Sequence, residues 1–386
     1  MFNLPTVVSL LLLAVPSTVY SSPCVTFDSS FNLLVFGLDS KDWNAGQQST
    51  WTSGSATDIT TSGRPSFDGT NTTCYLSQFY NAVYVINGDS SNPSSVYIYD
   101  AGAQSWSTQS VTTGKFNPAS FEAILDHDTN VIYALSGGDL FYLNMGDMKT
   151  ANSTALSWVD VEQAPYPSGY EPVMALAQNH IHFLDIPNVP AGDADIFVIH
   201  YSYFQPQPQS YPLPNGSAFP ATHGKTASFF QMSGVQQEFA FIPDDGAATY
   251  VINVETNSTE AYAGPMNKDS QATYAASITS LVQLDSAGAL SFLPYTEGDV
   301  STNSQATWSA ISKVAAVAPP GQSSSAFPSG SNTASGHASS TKSSASSTGT
   351  ASAGSSSSAN GAVTIRTGYG FTIALAGALG VVACFI

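Results

Sequence analysis

The sequence predicts an all-β fold made from a sheet unit that repeats about every 50 residues. Only 9% of the residues are charged and 11% are aromatic, a composition typical of β-rich secreted proteins. Short β-branched or aromatic runs recur at a near-constant interval, starting at Leu33, Val83, Val131, Ile181, Phe239 and Leu281. A later aromatic residue marks each unit independently: Trp51, Trp106, Trp158, Tyr211, Tyr262 and Trp308. Two separate markers with one period favour a repeat architecture.

The second unit shows the strand pattern most clearly. We predict strands over residues 74–79, 82–87 and 96–99, and a fourth strand around Trp106. Four short antiparallel strands in each of six units describe the blades of a β-propeller. Neighbouring blades would bury the sheet faces that one blade cannot bury alone. Seven blades are the alternative if residues 52–71 form a short extra sheet, and a pair of β-sandwiches is the structural alternative.

The glycine and aromatic positions resemble those of kelch repeats. The kelch pattern has an apolar strand, a Gly pair, and then Tyr and Trp separated by six residues, as Tyr99 and Trp106 are. Gly137-Gly138 supply the Gly pair in the third unit. The first, fourth, fifth and sixth units lack this pair, so the motif is specific only over residues 74–161. The resemblance implies a kelch-like β-propeller and says little about function.

Cys24 and Cys74 are predicted to form one disulfide bond. Each lies nine residues before the apolar run of its unit, at Leu33 and Val83, so both hold equivalent positions in the innermost strands of consecutive blades. The third cysteine, Cys384, lies in the C-terminal tail. Two free buried thiols are the alternative. With both body cysteines paired, none remains for the Cys–Tyr copper cofactor of oxidases that resemble galactose oxidase, and we expect no cofactor.

The organisation of the chain predicts export and a stalk. Residues 1–21 resemble a signal peptide, with an apolar run over residues 4–15 and small residues before a cleavage point after Ser21. The propeller ectodomain is expected to span residues 22–317. Residues 318–360 are almost wholly Ser, Thr, Ala, Gly and Asn, which predicts a disordered, O-glycosylated stalk. Such stalks are common in fungal cell-wall proteins, which this chain resembles.

Residues 361–386 have the layout of a glycosylphosphatidylinositol (GPI) attachment signal. Small residues around Asn360 precede a short spacer and an apolar tail with no charge after it. Asn360 is the predicted attachment residue, with Ser358 and Gly361 as alternatives. A transmembrane helix over residues 369–386 is the rival interpretation, although no Lys or Arg follows it. We therefore expect the protein on the extracellular side of the plasma membrane, GPI-anchored or passed on to the cell wall.

Four Asn-x-Ser/Thr acceptors for N-glycosylation lie in the body of the chain. They are Asn71, Asn152, Asn215 and Asn257, and we expect each of them on an exposed loop. The formal net charge of −18 predicts a surface that repels nucleic acid. The expected partner is therefore an extracellular protein or glycan, and the sequence leaves the oligomeric state open.

The histidines and acidic turns are weak candidates for metal sites. His180 and His182 lie two residues apart on a predicted strand and could bind a metal with His200, but we interpret them as residues on the wetter face of the strand. Residues 126–128 and 244–246 contain oxygen ligands that suit calcium, yet Asp and Gly are also typical of hairpin turns. The turn interpretation extends to one more acidic pair, Asp193 and Asp195. We predict no metal site.

No defined catalytic set is visible in the sequence. A glycoside hydrolase needs two carboxylates across a cleft, and Asp28, Glu122 and Glu171 lie near predicted inner strands. We interpret each as a solvated or capping group. The aromatic stretch 201–211 is interpreted as a blade edge, with a sugar-binding loop as the alternative. The sequence favours a display protein that binds a protein or glycan partner through propeller loops, with a hydrolase or lyase acting on wall polysaccharide in the central pocket as the alternative.

Overall fold

The computed structural model of the protein describes residues 21–315 and shows a six-bladed β-propeller. Each blade is an antiparallel sheet of four strands that follow one another along the chain. The inner strand of each blade contacts the inner strand of the next, and the inner strand of blade 6 contacts that of blade 1, so the ring is closed. Within residues 21–315, no helix is long and apolar enough to span a membrane.

The strands of the first three blades have the following bounds, from the inner strand outwards. Blade 1 contains Cys24–Phe27, Leu33–Leu38, Lys41–Gly46 and Thr57–Asp58. Blade 2 contains Thr73–Ser77, Ala82–Ile86, Val96–Asp100 and Ser105–Gln109. Blade 3 contains Glu122–Asp126, Val131–Ser136, Asp139–Asn144 and Val159–Gln163. A parallel pair of short strands, Val111–Thr112 and Leu156–Ser157, joins the outer parts of blades 2 and 3.

The other three blades follow the same order. Blade 4 contains Val173–Ala177, His180–Leu184, Asp193–Val198 and Tyr203–Phe204, with Gln209–Ser210 as a further strand on its third strand. Blade 5 contains Gly224–Ser228, Glu238–Pro243, Ala248–Asn253 and Ser258–Ala263. Blade 6 contains Thr273–Ala276, Ser280–Leu284, Leu290–Pro294 and Ser309–Ala310. The described helices are one turn each: Gln48–Thr50, Ile199–Tyr201, Val300–Asn303 and Ser312–Ala315.

Both sequence markers correspond to repeated structural positions. The six apolar runs are the second strands of the six blades, which confirms that prediction. The six aromatic markers are all buried, with 1–8% of their surface exposed. Only Trp106 and Tyr262 lie in a strand, as predicted. Trp158, Tyr211 and Trp308 lie directly beside strands, and Trp51 follows the one-turn helix Gln48–Thr50. A large buried ring therefore anchors the outer edge of each blade, whether or not the edge pairs regularly.

The glycine and aromatic spacing of the second and third units has a direct structural cause. Tyr99 and Trp106 are cross-strand partners of the third and outer strands of blade 2, with ring centroids 5.0 Å apart. Gly137 and Gly138 form the tight turn between the second and third strands of blade 3 and have φ angles of +64° and +92°. Two consecutive positive φ angles suit a type I′ hairpin turn, in which a side chain would be strained.

The stretch before blade 2 contains no extra blade. Residues 57–58 form the outer strand of blade 1, and the chain then runs as a loop to blade 2. The guanidinium of Arg64 in this loop holds the buried Asp42 carboxylate, with Nη2 2.7 Å from Oδ1. The described residues thus contain six blades and not seven, and the closed ring excludes the sandwich alternative.

Six apolar clusters fill the six junctions between neighbouring blades. The second strands contribute to the clusters on both of their faces, which explains why they read as continuous apolar runs and not as alternating ones. At the junction of blades 1 and 2, Cys24 and Cys74 form the predicted disulfide bond between the inner strands, with their Cα atoms 6.0 Å apart.

The ring closes between blades 6 and 1 without exchange of strands. The segment after the last strand crosses to blade 1, where the Lys313 N–H donates to the Trp51 carbonyl at 3.0 Å and the Ala56 N–H donates to the Lys313 carbonyl at 3.0 Å. Ile311 and Val314 are 2% and 1% exposed at this junction. This closing segment, residues 311–315, therefore replaces the shared strand that closes many propellers.

Candidate functional site

A cavity of about 870 Å³ lies on the propeller axis. Residues of all six inner strands line it, from Cys24–Phe27 in blade 1 to Thr273–Ala276 in blade 6. Its size is within the range of cavities that hold small organic ligands. We take this central cavity as the candidate site because the fold brings side chains from every blade to it.

The two ends of the central cavity differ. One end is rimmed by exposed polar residues that precede the inner strands or lie between second and third strands, and we call it the mouth. Its exposed rim residues are Thr70, Ser90, Gln271 and Ser286. At the other end, the Phe230 ring of blade 5 lies 5.5 Å from Phe31 of blade 1 and 5.3 Å from His127 of blade 3, centroid to centroid. A ring that contacts three alternating blades lies near the axis, so Phe230 forms the floor.

Two residues of opposite charge, Glu122 and Lys225, line the central cavity. Glu122 is the first residue of the inner strand of blade 3, and Lys225 is the second residue of the inner strand of blade 5. Burial raises the pKa of the Glu122 carboxyl, and the positive charges of Lys225 and His223 partly oppose that rise. His223 is itself held by Asp244, with Nδ1 2.9 Å from Oδ2. Glu122 is half-buried and lines the cavity.

Hydroxyl groups surround these charges. The Oγ1 atoms of Thr73 and Thr273 are buried and have no hydrogen-bond partner within residues 21–315. The Tyr75 hydroxyl donates to the Ala123 carbonyl at 2.8 Å, and burial together with the negative charge of Glu122 raises the pKa of Tyr75. Burial likewise raises the pKa of Tyr274. These tyrosines stay neutral at physiological pH.

Other polar groups of the lining serve the fold. The hydroxyls of Thr226 and Ser228 in blade 5 donate to the carbonyls of Met174 and Leu176 on the open edge of the inner strand of blade 4. Those bonds satisfy backbone groups that face the axis, where no further strand pairs with them. They join neighbouring blades and leave Glu122 and Lys225 as the charged groups of the inner-strand lining.

The carboxylates at the mouth are bound into turns. Hydrogen bonds from the Ser66 hydroxyl and the Ser90 N–H lower the pKa of Asp68. Asp285 accepts hydrogen bonds from the backbone N–H groups of Ala287 and Ala289 at 3.0 and 2.7 Å. Both groups line the central cavity, but their oxygens are already occupied by local donors.

The acidic candidates from the sequence separate into different roles. Glu122 lines the central cavity, whereas Glu171 is exposed and does not line it. Asp28 caps the turn after the inner strand of blade 1, accepting from the N–H groups of Ser30 and Asn32 at 2.9 Å each. Residues 126–128 and 244–246 lie in hairpin turns, as predicted.

Two interpretations need correction: the turn interpretation of Asp193 and Asp195, and the wetter-face interpretation of His182. Asp193 and Asp195 lie in the third strand of blade 4. His182 is 1% exposed and packs against Phe239 and Tyr211, so it does not lie on a wet face. Burial lowers the pKa of His182 to about 3, and the charge of His180 adds to this. Within residues 21–315, no group of three His, Cys, Asp or Glu residues is arranged to hold a metal ion.

Other predicted features fall at the periphery or beyond the described part. The stretch 201–211 forms the edge of blade 4, with Tyr201 exposed and Tyr211 buried. The N-glycosylation acceptors Asn152, Asn215 and Asn257 lie on exposed loops, and Asn71 lies partly buried at the mouth of the central cavity. The signal peptide, the stalk and the attachment residue Asn360 fall in residues 1–20 and 316–386, outside the described residues, and stay predictions.

Sequence reasoning missed Lys225 and the two unpartnered threonines. A signal for part of the lining was present, because Glu122 lies nine residues before Val131, the same interval that located the paired cysteines on inner strands. No comparable interval marks Lys225, because a longer loop separates the inner and second strands of blade 5.

Comparison with known proteins supplies no family and no function. No protein-family model and no curated protein matches the chain. Among solved structures, 439 chains match it in three dimensions. One, described as "Structure of YjhT", has a TM-score of 0.49 and 8% sequence identity, and the match covers 75% of this chain and 97% of that chain. The fold is therefore established by the chain's own six sheets.

Proposed function

We propose that this protein binds a carbohydrate chain end in its central cavity. The observation that carries the proposal is the composition of the inner-strand lining, where Glu122 and Lys225 line the cavity together with the hydroxyl-bearing residues Tyr75 and Tyr274. A sugar presents many hydroxyl groups that both donate and accept, so it matches a lining with one acidic, one basic and several hydroxyl-bearing side chains.

The charge of the protein narrows the class of ligand. The formal net charge is −18, which disfavours nucleic acids and other extended polyanions as partners. A ligand that reaches Glu122 must also enter past Asp68 and Asp285 at the mouth. A neutral sugar, or one whose charges match the Glu122–Lys225 pair, meets least repulsion.

The cell-surface placement is part of the same proposal. Its support is the sequence pattern of residues 1–21, the Ser/Thr-rich stretch 318–360 and the GPI-like layout that follows Asn360. In this proposal a kelch-like propeller is held away from the membrane or wall by a glycosylated stalk. The mouth of the central cavity is then available to glycans in the wall or on another cell.

A glycan array probed with the purified ectodomain, residues 22–317, tests the proposal. We expect binding to a small set of related chain ends, and we expect Glu122→Gln and Lys225→Met each to weaken it. Binding that both variants retain in full would contradict the central cavity as the site. An array with no bound glycan would contradict carbohydrate recognition.

A hydrolase or lyase acting on wall polysaccharide is the second candidate. The raised pKa of Glu122 favours it, because burial shifts this carboxyl in the direction that suits a general acid. A glycoside hydrolase also needs a second carboxylate, and both Asp68 and Asp285 are engaged by local hydrogen bonds. Reducing-end release from array-positive glycans distinguishes the two candidates: binding without product supports recognition, and product that Glu122→Gln abolishes supports hydrolysis.

A further inference from the structure

One N-glycosylation acceptor lies at the mouth of the central cavity. Asn71, Thr72 and Thr73 form the acceptor that leads into the inner strand of blade 2, and all three line the cavity. The acceptor residues Asn152, Asn215 and Asn257 are exposed and are absent from the described lining. A sugar chain on Asn71 would therefore lie at the mouth of the central cavity, whereas sugar chains on the other three acceptors would not.

The amide of Asn71 is also close to the cavity carboxyl. Asn71 Nδ2 donates to the Phe121 carbonyl oxygen at 3.3 Å, and Phe121 directly precedes Glu122. This bond carries the side chain from the lead-in of blade 2 across to the inner strand of blade 3. The first sugar of an N-linked glycan would therefore begin beside Phe121, the residue that precedes Glu122.

The attachment chemistry fits this geometry. The Asn71 amide nitrogen forms a bond to C1 of the first sugar of a lipid-linked oligosaccharide, losing one proton while the lipid pyrophosphate leaves. The glycosylated amide keeps one N–H, which is the number that the bond to the Phe121 carbonyl requires. Thr72 is only 2% exposed, so the sugar must be attached before the domain folds.

We propose that an N-glycan on Asn71 partly covers the mouth and limits the central cavity to slender ligands. A single chain end can pass the glycan core, whereas a folded protein loop cannot. The inference rests on the proposed export of the chain, because the modification requires it. It adds a selectivity element that the inner-strand lining does not provide.

Two measurements test the inference without knowledge of the natural ligand. Peptide mass spectrometry of the mature protein reports which of the four acceptors carry sugar. Acylation of Lys225 then reports access, using an acetyl ester as the small reagent and an ester bearing a long polyethylene glycol chain as the bulky one. Lys115, whose side chain is 74% exposed on the surface, is the internal reference.

We expect Asn71 to carry sugar. With each rate divided by that of Lys115, Lys225 should react far faster with the small reagent than with the bulky one. Asn71→Gln should raise the bulky-reagent rate at Lys225 several-fold, and Asn152→Gln should leave it unchanged. Trimming the wild-type glycans to one sugar with an endoglycosidase should also raise this rate, which removes the need for a substitution beside Phe121.

Sugar on Asn152, Asn215 and Asn257 with none on Asn71 would overturn the inference and leave the proposed surface location intact. Equal bulky-reagent rates at Lys225 in wild type, trimmed protein and Asn71→Gln would overturn it as well. Absence of sugar from all four acceptors would overturn both the inference and the proposed export.

Discussion

Glu122 is an ionisable residue in a buried environment that disfavours its charged form. Its carboxyl is surrounded by protein, and the attraction of Lys225 and His223 only partly offsets the loss of water, so its pKa is raised. A carboxylate in this position costs stability that a neutral side chain does not. Such a cost is retained at functional sites more often than in a core that serves only packing.

Glu122→Gln is expected to stabilise the domain at neutral pH. Because the folded-state pKa is above the unfolded one, the stabilising contribution of protonated Glu122 is present at low pH and is lost as pH rises through the folded-state pKa. The difference in free energy of unfolding between the variant and wild type should therefore grow from acidic to neutral pH. Denaturant unfolding across this range measures it.

Glu171→Gln is the matched control for that series, because Glu171 is exposed and outside the central cavity. Its unfolding curve should follow wild type at every pH. A Glu122→Gln variant that is less stable than wild type at neutral pH would show that the ion attraction outweighs the burial cost.

Removal of the Cys24–Cys74 disulfide bond is expected to lower the free energy of unfolding. The bond closes a loop with a sequence separation of 50 residues, and on the chain-entropy model that closure contributes about 4 kcal/mol. The double variant Cys24→Ser, Cys74→Ser should lose up to that amount of unfolding free energy in denaturant titration. Equal stabilities of oxidised wild type and the double variant would contradict a structural role for the bond.

At the scale of elements, the closing segment 311–315 holds the last blade to the first. Ile311→Ala removes a fully buried side chain at this junction, and we expect a loss of about 2–4 kcal/mol in unfolding free energy. Val300→Ala, in the exposed helix of blade 6, serves as the control and should change stability little. A loss at Ile311 no greater than at Val300 would mean that the ring closes by other contacts.

Second strands could be predicted from the sequence, as could the outer strand around Trp106, whereas the two-residue outer strands could not. A second strand such as Val131–Ser136 is covered by neighbouring blades on both faces, so its apolar run is visible without any structure. Outer strands such as Thr57–Asp58 have two residues and face solvent, so their sequences carry little pattern. The buried aromatic residues near these strands indicated the repeat period, but they did not indicate which residues pair in the outer strands.

For the whole molecule, the period predicted the fold, and it predicted only part of the site. It located Cys24, Cys74 and Glu122 on inner strands, because all three lie at one interval from their second strands. The ring brings Glu122 of blade 3 and Lys225 of blade 5 to one cavity, although they are about a hundred positions apart in the sequence. Such contacts depend on ring closure, which no local pattern encodes.

Calorimetric titration of the strongest array glycan into the ectodomain tests the central claim most directly. Three proteins are compared: wild type, Lys225→Met and the surface control Lys115→Met. Loss of a charged hydrogen bond in the central cavity should weaken binding by Lys225→Met about tenfold or more, while Lys115→Met should bind as wild type does. Equal affinities for all three proteins would contradict ligand binding in the central cavity.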